Sequence, residues 1–185
     1  MATGLITGAD MGLGFELTKL GLLRGNTMIA IVLHASGENI TGLKSQYGDK
    51  LTIIAADITD EASIRDAADR ISDKFKQIDF IVNNAGVLFG SKYDKIDEIV
   101  DLDVAKFRKT LDVNVTGMAI VLKYFMPYLY KSSCPVIINI TSEAAYLGSG
   151  GYNYLSYSVS KYAANMYTQK IRNYLHDERP ELGVR

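Results

Sequence analysis

Five short apolar runs alternate with stretches of helical periodicity, and this alternation constrains the chain more than any other feature. The runs are Leu5-Ile6-Thr7, read as a short buried strand, and residues 28–33, 51–56, 78–82 and 136–140, read as strands. Between them the spacing predicts helices over about 12–24, over 38–47, and from a cap at Thr59 or Asp60 onward. A further long helix runs from 104 to about 130, where Pro127 ends or bends it, and a last one from 157 to about 176. On the first helix Leu13, Leu17, Leu20 and Leu23 form the expected apolar stripe, with Gly25-Asn26 as the stop. On the third, Ile64, Ala67, Ala68, Ile71 and Phe75 recur at i, i+3, i+4, i+7 and i+11. On the last, Ala163, Ala164, Tyr167, Ile171 and Leu175 form the apolar face.

Strands that alternate with helices imply right-handed crossovers and a parallel sheet. In such open sheets ligands bind beyond the carboxyl ends of the strands. Three polar turns fall there. Gly8-Ala9-Asp10-Met11-Gly12-Leu13-Gly14 follows the first strand, Asp57 the third, and Asn83-Asn84-Ala85-Gly86 the fourth. Each has a plain structural reading as a turn or a helix cap. The first is also suited to an anion, because glycines admit close backbone approach and a helix N-terminus offers free N–H groups.

The chain has 185 residues, which suits one domain, and 48% of them are hydrophobic, enough for a core. A net charge of -1 gives no electrostatic footprint for nucleic acid. Cys134, the single cysteine, permits no intramolecular disulfide and fits a reducing, cytoplasmic setting. The N-terminal residues lack a basic segment followed by an apolar run, and no apolar run reaches membrane-spanning length. The expected partners therefore include neither nucleic acid nor membrane.

Tyr157-Ser158-Val159-Ser160-Lys161 places a phenol and an ammonium four residues apart, one turn apart on one helix face. A positive charge beside a phenol favours the phenolate, which makes it a usable general acid or base. The same spacing on its own is more often a surface contact. Asn114 sits inside the long helix, where a buried amide is costly unless bonded, so it marks a satisfied core amide, a helix irregularity or a site residue. Thr141-Ser142-Glu143 follows the fifth strand, and a loop rich in Gly and Tyr spans 144–156.

In these motifs and their order the chain resembles the short-chain dehydrogenases/reductases, in their classical branch, over essentially its whole length. Thr7-Gly8-x-x-x-Gly12-x-Gly14 looks like the family's cofactor turn, Asn83-Asn84-Ala85-Gly86 matches its second motif, and Asn114, Ser142, Tyr157 and Lys161 fall where its catalytic tetrad stands. The resemblance implies an α/β fold, a Rossmann-type doubly wound parallel sheet in three α/β/α layers, with 1–185 as a single NAD(P)-binding domain. It implies hydride transfer between a nicotinamide and a ketone or secondary alcohol. Tyr157 would exchange the proton, Lys161 would tune it and hold the nicotinamide ribose, Ser142 would bond the substrate oxygen, and Asn114 would position a water. Gly8, Gly12 and Gly14, with Asp10, Met11 and Leu13 between them, would take the pyrophosphate side. Asp57 and Ile58 would face the adenine, Asn84 would lie near the adenosine ribose, and Ala85 and Gly86 would also belong to the cofactor site. A homodimer or homotetramer is also implied, built on the Asn114 and Tyr157 helices with Tyr124, Phe125, Tyr128 and Tyr167 as contact area.

Three departures shape the expectations. The second strand ends Ile31-Val32-Leu33-His34, without the acid of NAD-preferring members, and Met11 stands where NADP-preferring members carry Arg. With no acid to repel a 2′-phosphate, and His34 or Ser36 to bond one, the balance tips slightly to NADP over NAD. The Ser142–Tyr157 spacing is about two residues longer than the family's common form, and Thr141 is the alternative to Ser142. The chain stops at Gly183-Val184-Arg185, where the family's sixth strand begins, so the C-terminal strands are expected to be missing and the fifth strand to form an edge. Substrate choice is carried in part by the insertion 87–102. The competing function is a dinucleotide-binding sensor or scaffold, against which the intact Tyr–Lys pair argues.

Overall fold

The computed structural model describes residues 1–89, 99–148 and 154–182. Most of the 87–102 insertion, the middle of the 144–156 loop and the expected start of a sixth strand lie outside the described residues. Five strands form one parallel sheet: β1 (Thr3–Thr7), β2 (Thr27–Val32), β3 (Leu51–Ala55), β4 (Phe80–Asn83) and β5 (Val136–Asn139). Their order is β3-β2-β1-β4-β5, with Leu5 opposite Ile29 on one side and Ile81 on the other. The chain builds outward from β1 to β3 and then returns to β1's other flank with β4. The strand ends of β1 and β4 therefore border a crevice where the crossovers part to opposite sides.

The helices are α1 (Gly12–Leu23), α2 (Glu38–Tyr47), α3 (Glu61–Ile71), α4 (Val104–Leu111), α5 (Gly117–Leu129) and α6 (Leu155–Glu178). Leu22 of α1 and Ile40 and Leu43 of α2 pack with Ile6, Met28 and Ala30 on one face of the sheet. Ile64 and Ile71 of α3 and Val121 and Phe125 of α5 pack with Leu5, Ile29 and Ile81 on the other. The expected three layers and doubly wound sheet are present. β5 is an outer strand of the described sheet, and Val136 and Ile138 are exposed.

Asp60 caps α3, its carboxylate accepting from Ala62 N at 2.9 Å, and Ile64, Ala67, Ala68, Ile71 and Phe75 are all buried as expected. The leucine stripe of α1 is a correction. Leu13, Leu20 and Leu23 are exposed, and the buried face is Gly14, Thr18, Gly21 and Leu22. The helix lies close on the sheet, and small residues set that distance. A Cβ on Gly21 would stand 2.5 Å from Met28 Sδ.

The long helix is two α-helices joined by a π-helical turn over Asp112–Thr116, which holds Asn114. Single π turns inside α-helices often mark functional sites, because the wider turn turns a side chain inward. Pro127 lies inside α5, which ends two residues later at Leu129. The aromatic residues expected at an interface are engaged within the chain. Phe125 is fully buried, Tyr128 donates to Ala68 O at 2.9 Å, Tyr124 donates to Glu61 Oε1 at 2.9 Å, and Tyr167 packs against the core.

Candidate active site

The turn after β1 needs two glycines for backbone conformation and a third for space. Gly8 has φ 63° and Gly12 φ 54°, where other residues are strained. A Cβ on Gly14 would stand 2.2 Å from Gly8 O and 2.4 Å from Asn84 Nδ2. The turn after β4 is stitched to this one. Thr7 Oγ1 accepts from Asn84 N at 3.1 Å and Ala85 N at 3.0 Å. The Asn84 amide donates to Thr7 O at 2.9 Å and Gly8 O at 3.1 Å. Its side-chain nitrogen is thus engaged in holding two strand ends together.

A cleft of about 480 Å³ opens beside these turns. Gly8, Asp10, Met11, Asp57, Ile58, Asn84, Ala85 and Gly86 line it, all of them expected site residues. Gly12, Leu13 and Gly14 do not line it, Gly12 and Leu13 being exposed and Gly14 buried, and His34 is exposed outside it while Leu33 lines it. Val87, the first residue of the 87–102 insertion, also lines the cleft, as do Lys109 and Val113, which were not foreseen. Lys109 and Val113 are four residues apart on one helix face, a spacing that could have paired them. Burial pushes the Asp57 carboxyl up, but the Thr59 hydroxyl and N–H, at 2.7 and 2.8 Å, and the Lys109 charge outweigh it. The group ends below the usual carboxylate range.

The four remaining expected residues lie on three elements, Asn114 on the π turn, Ser142 after β5, and Tyr157 and Lys161 on α6. Asn114 is 3% exposed, and its amide is fully used: Oδ1 accepts from Val87 N at 2.8 Å, and Nδ2 donates to Val87 O at 3.0 Å and to Ser160 Oγ at 2.9 Å. Ser160 in turn donates to Tyr157 O at 2.7 Å, an anchor that the sequence reading did not single out. Lys161 is 4% exposed and donates to Ile140 O at 2.8 Å, and its Nζ stands 5.6 Å from the Tyr157 ring centre. Ser142 caps a 3₁₀ turn over Glu143–Ala145 that packs against α6, its hydroxyl accepting from Ala144 N at 3.2 Å. Thr141 is exposed and accepts from Ser142 N at 2.6 Å. A Cβ on Gly86 would stand 3.2 Å from Asn114 Oδ1 and 3.5 Å from Lys161 Nζ, so glycine keeps the floor of the cleft open where it meets these groups.

Burial lowers the Lys161 pKa below the ordinary lysine value of 10.5. Between the folded and unfolded values the unfolded chain binds more protons, so this lysine's contribution to stability rises with pH in that window. In urea unfolding, the stability difference between the parent and Lys161→Met is expected to move in the parent's favour as pH is raised from neutrality toward 10. A pH-independent difference would show that Lys161 is not held in a desolvated site.

The cleft and this cluster fit a nicotinamide dinucleotide. The two positive-φ glycines and the spacing at Gly14 suit a pyrophosphate against the N-terminus of α1, and the opening at Gly86 leaves room beside Lys161. Among the described residues no three His, Cys, Asp or Glu side chains could hold a metal ion together, and no helix is long and apolar enough to cross a membrane.

The sequence pattern of the family described as short chain dehydrogenase matches residues 2–181. The NADPH-dependent pterin aldehyde reductase of Arabidopsis thaliana is 32% identical over 163 residues, covering 87% of this chain and 64% of that protein. The estradiol 17-beta-dehydrogenase 2 of Rattus norvegicus is 32% identical over 174 residues, covering 92% and 43%. The chain thus spans less than two thirds of the length of either relative. Among solved structures, the NADPH-bound carbonyl reductase from chicken fatty liver superposes with a TM-score of 0.83 at 25% identity, covering 96% of this chain and 75% of that one. The NADP complex of RhlG from Pseudomonas aeruginosa gives 0.80 at 26% identity, covering 96% and 67%.

Proposed function

The chain belongs to the short-chain dehydrogenase family, and on that premise we propose that it is the dinucleotide-binding and catalytic part of an NAD(P)-dependent oxidoreductase acting on a carbonyl compound or its alcohol. The observation that carries the reading is the approach of Asn114 and Lys161 to Gly86, which lines the cleft, with the Tyr157 ring centre 5.6 Å from the Lys161 ammonium. A bound nicotinamide cofactor supplies or accepts the hydride. Gly8, Asp10 and Met11 border its pyrophosphate side, Asp57, Ile58 and Val113 its adenine, and Gly86 and Lys161 its nicotinamide ribose.

Tyr157 donates a proton to the substrate oxygen in reduction and withdraws it in oxidation. Lys161, held at Ile140 O, keeps positive charge near the phenol. Ser142 bonds the oxygen on which negative charge grows. Asn114 fixes the turn at Val87 and the helix at Ser160, which sets both walls of the reacting space. NADP is preferred over NAD, because no acid stands at the end of β2 to repel a 2′-phosphate, and three of the similar proteins carry NADPH or NADP in their names.

Titration of the purified chain with NADPH and with NADH, followed by nicotinamide fluorescence, tests the proposal. Saturable binding with NADPH the tighter ligand is expected. Binding of neither would defeat the dinucleotide reading, and tighter NADH binding would reverse the cofactor preference.

A further inference from the structure

A chain of side-chain hydrogen bonds runs out of the sheet into α6, below the residues assigned to catalysis. Asn83 and Asn139 are direct partners across β4 and β5. Asn83 Nδ2 donates to Asn139 Oδ1 at 2.8 Å, Asn139 Nδ2 donates to Thr168 Oγ1 at 2.8 Å, and Thr168 Oγ1 donates to Ala164 O at 2.7 Å. Every donor points the same way, from the sheet to a helix carbonyl, so each bond polarises the next.

This is a costly way to end two apolar strands. Ile81-Val82 and Ile137-Ile138 precede the two amides, and Asn83 is 5% exposed with its Oδ1 unpartnered among the described residues. Apolar side chains would bury there without an orphaned acceptor. What they would not supply is direction. Apolar contacts tolerate sliding and rotation of a helix, whereas a bonded pair fixes one register.

The register in question is that of Lys161. Thr168 lies seven residues beyond it, two turns along the same face. Its partner Asn139 precedes Ile140, whose carbonyl accepts the Lys161 ammonium at 2.8 Å and whose N–H donates to Asn83 O at 2.9 Å. The asparagine pair therefore fixes the strand end that carries the lysine's acceptor, and Thr168 fixes the helix that carries the lysine. A slip of α6 by one residue would move Lys161 by about 1.5 Å, enough to break the bond to Ile140 O.

We propose that Asn139 and Thr168 are positioning residues that set the axial place of α6, and through it the seat of Lys161 beside Tyr157. The inference rests on the oxidoreductase reading. It is tested with the Thr168→Val and Thr168→Ser variants and with Asn139→Ala, assayed with NADPH and whichever of cyclohexanone, acetophenone and benzaldehyde the parent reduces. Thr168→Val and Asn139→Ala are expected to lower kcat by roughly ten- to a hundredfold, the scale of an ångström-size misplacement. KM should stay near the parent value and the pH profile of kcat should be displaced. Thr168→Ser, which keeps the hydroxyl, should restore kcat and profile together. A merely structural role would lower thermal stability and leave kcat and its pH profile as in the parent, and that result would overturn the proposal. Amide hydrogen exchange over residues 157–161 gives a readout that needs no substrate. It should quicken several-fold in Thr168→Val and not in Thr168→Ser. A parent that reduces none of the probes would defeat the oxidoreductase reading, and unchanged exchange in Thr168→Val would defeat the positioning claim separately.

Discussion

Tyr157→Phe is expected to lose about 10²- to 10⁴-fold in kcat while binding NADPH as the parent does. The substitution removes one oxygen and keeps the ring. Tyr157 is half-buried, and its backbone anchor, the bond from Ser160 Oγ to Tyr157 O, does not involve the phenol. The Lys161 ammonium, 5.6 Å from the ring centre, still faces an aromatic face of the same size. Lys161 also keeps its bond to Ile140 O, and Asn114 keeps all three of its bonds. Little in the fold therefore depends on the hydroxyl, and a large loss of turnover would report its proton chemistry. Steady-state rates with NADPH and a reducible carbonyl compound, set beside fluorescence titrations of the same two proteins, make the measurement. Equal turnover in parent and variant would remove Tyr157 from the mechanism. Intact cofactor binding in a chain that never turns over would favour the sensor or scaffold reading.

What the sequence made legible follows from how local each signal is. The amphipathic repeat of α3 depends on its own residues and its own cap, and all five of its apolar positions are buried. The glycine turn is legible for the same reason, since a positive φ is a property of one residue. The face of α1 was misread because its burial is decided by a neighbour. Gly14 and Gly21 bring the helix so close to Asn84 and Met28 that the small side faces inward and the leucines outward. A hydrophobicity pattern carries no term for that close approach.

The candidate site divides in the same way. Tyr157 and Lys161 announce themselves by i,i+4 spacing, and Asn114 by being a polar residue in an apolar helix. Ser160, Thr7 and Asn139 do not, because their partners lie 46, 77 and 29 residues away. The π turn at Asp112–Thr116 is legible only as the helix irregularity that a polar Asn114 suggests, not in its form. It has no distinctive composition, and what accompanies it is the ladder between the Asn114 amide and the Val87 backbone, a contact between two segments that the sequence lists far apart.

Gly14→Ala is expected to abolish NADPH binding and to destabilise the fold by about 1–3 kcal/mol, the range of overpacking at a closed site. The new methyl carbon would stand 2.2 Å from the Gly8 carbonyl oxygen and 2.9 Å from the Gly8 carbonyl carbon. These are backbone atoms at one end of a turn that is pinned on three sides. Gly8 N donates to Ile31 O at 2.9 Å, Gly8 O accepts from the Asn84 amide, and Thr18 Oγ1 donates to Gly14 O at 2.8 Å. Relief therefore requires either that α1 lift from the sheet or that the turn open, and both displace the N–H groups assigned to the pyrophosphate. Two other glycines separate this effect from ordinary ones. Gly12 meets nothing within 4 Å of a built Cβ, so Gly12→Ala carries only the strain of φ 54°, about 1–2 kcal/mol. Gly42 lies inside α2 in open space, where alanine is the better helix former, so Gly42→Ala should stabilise by roughly 0.5–1 kcal/mol with binding unchanged. Urea midpoints and NADPH titrations on the three variants test the ranking. If Gly14→Ala bound NADPH like the parent, the close approach of α1 to the first turn would not be what shapes the dinucleotide site.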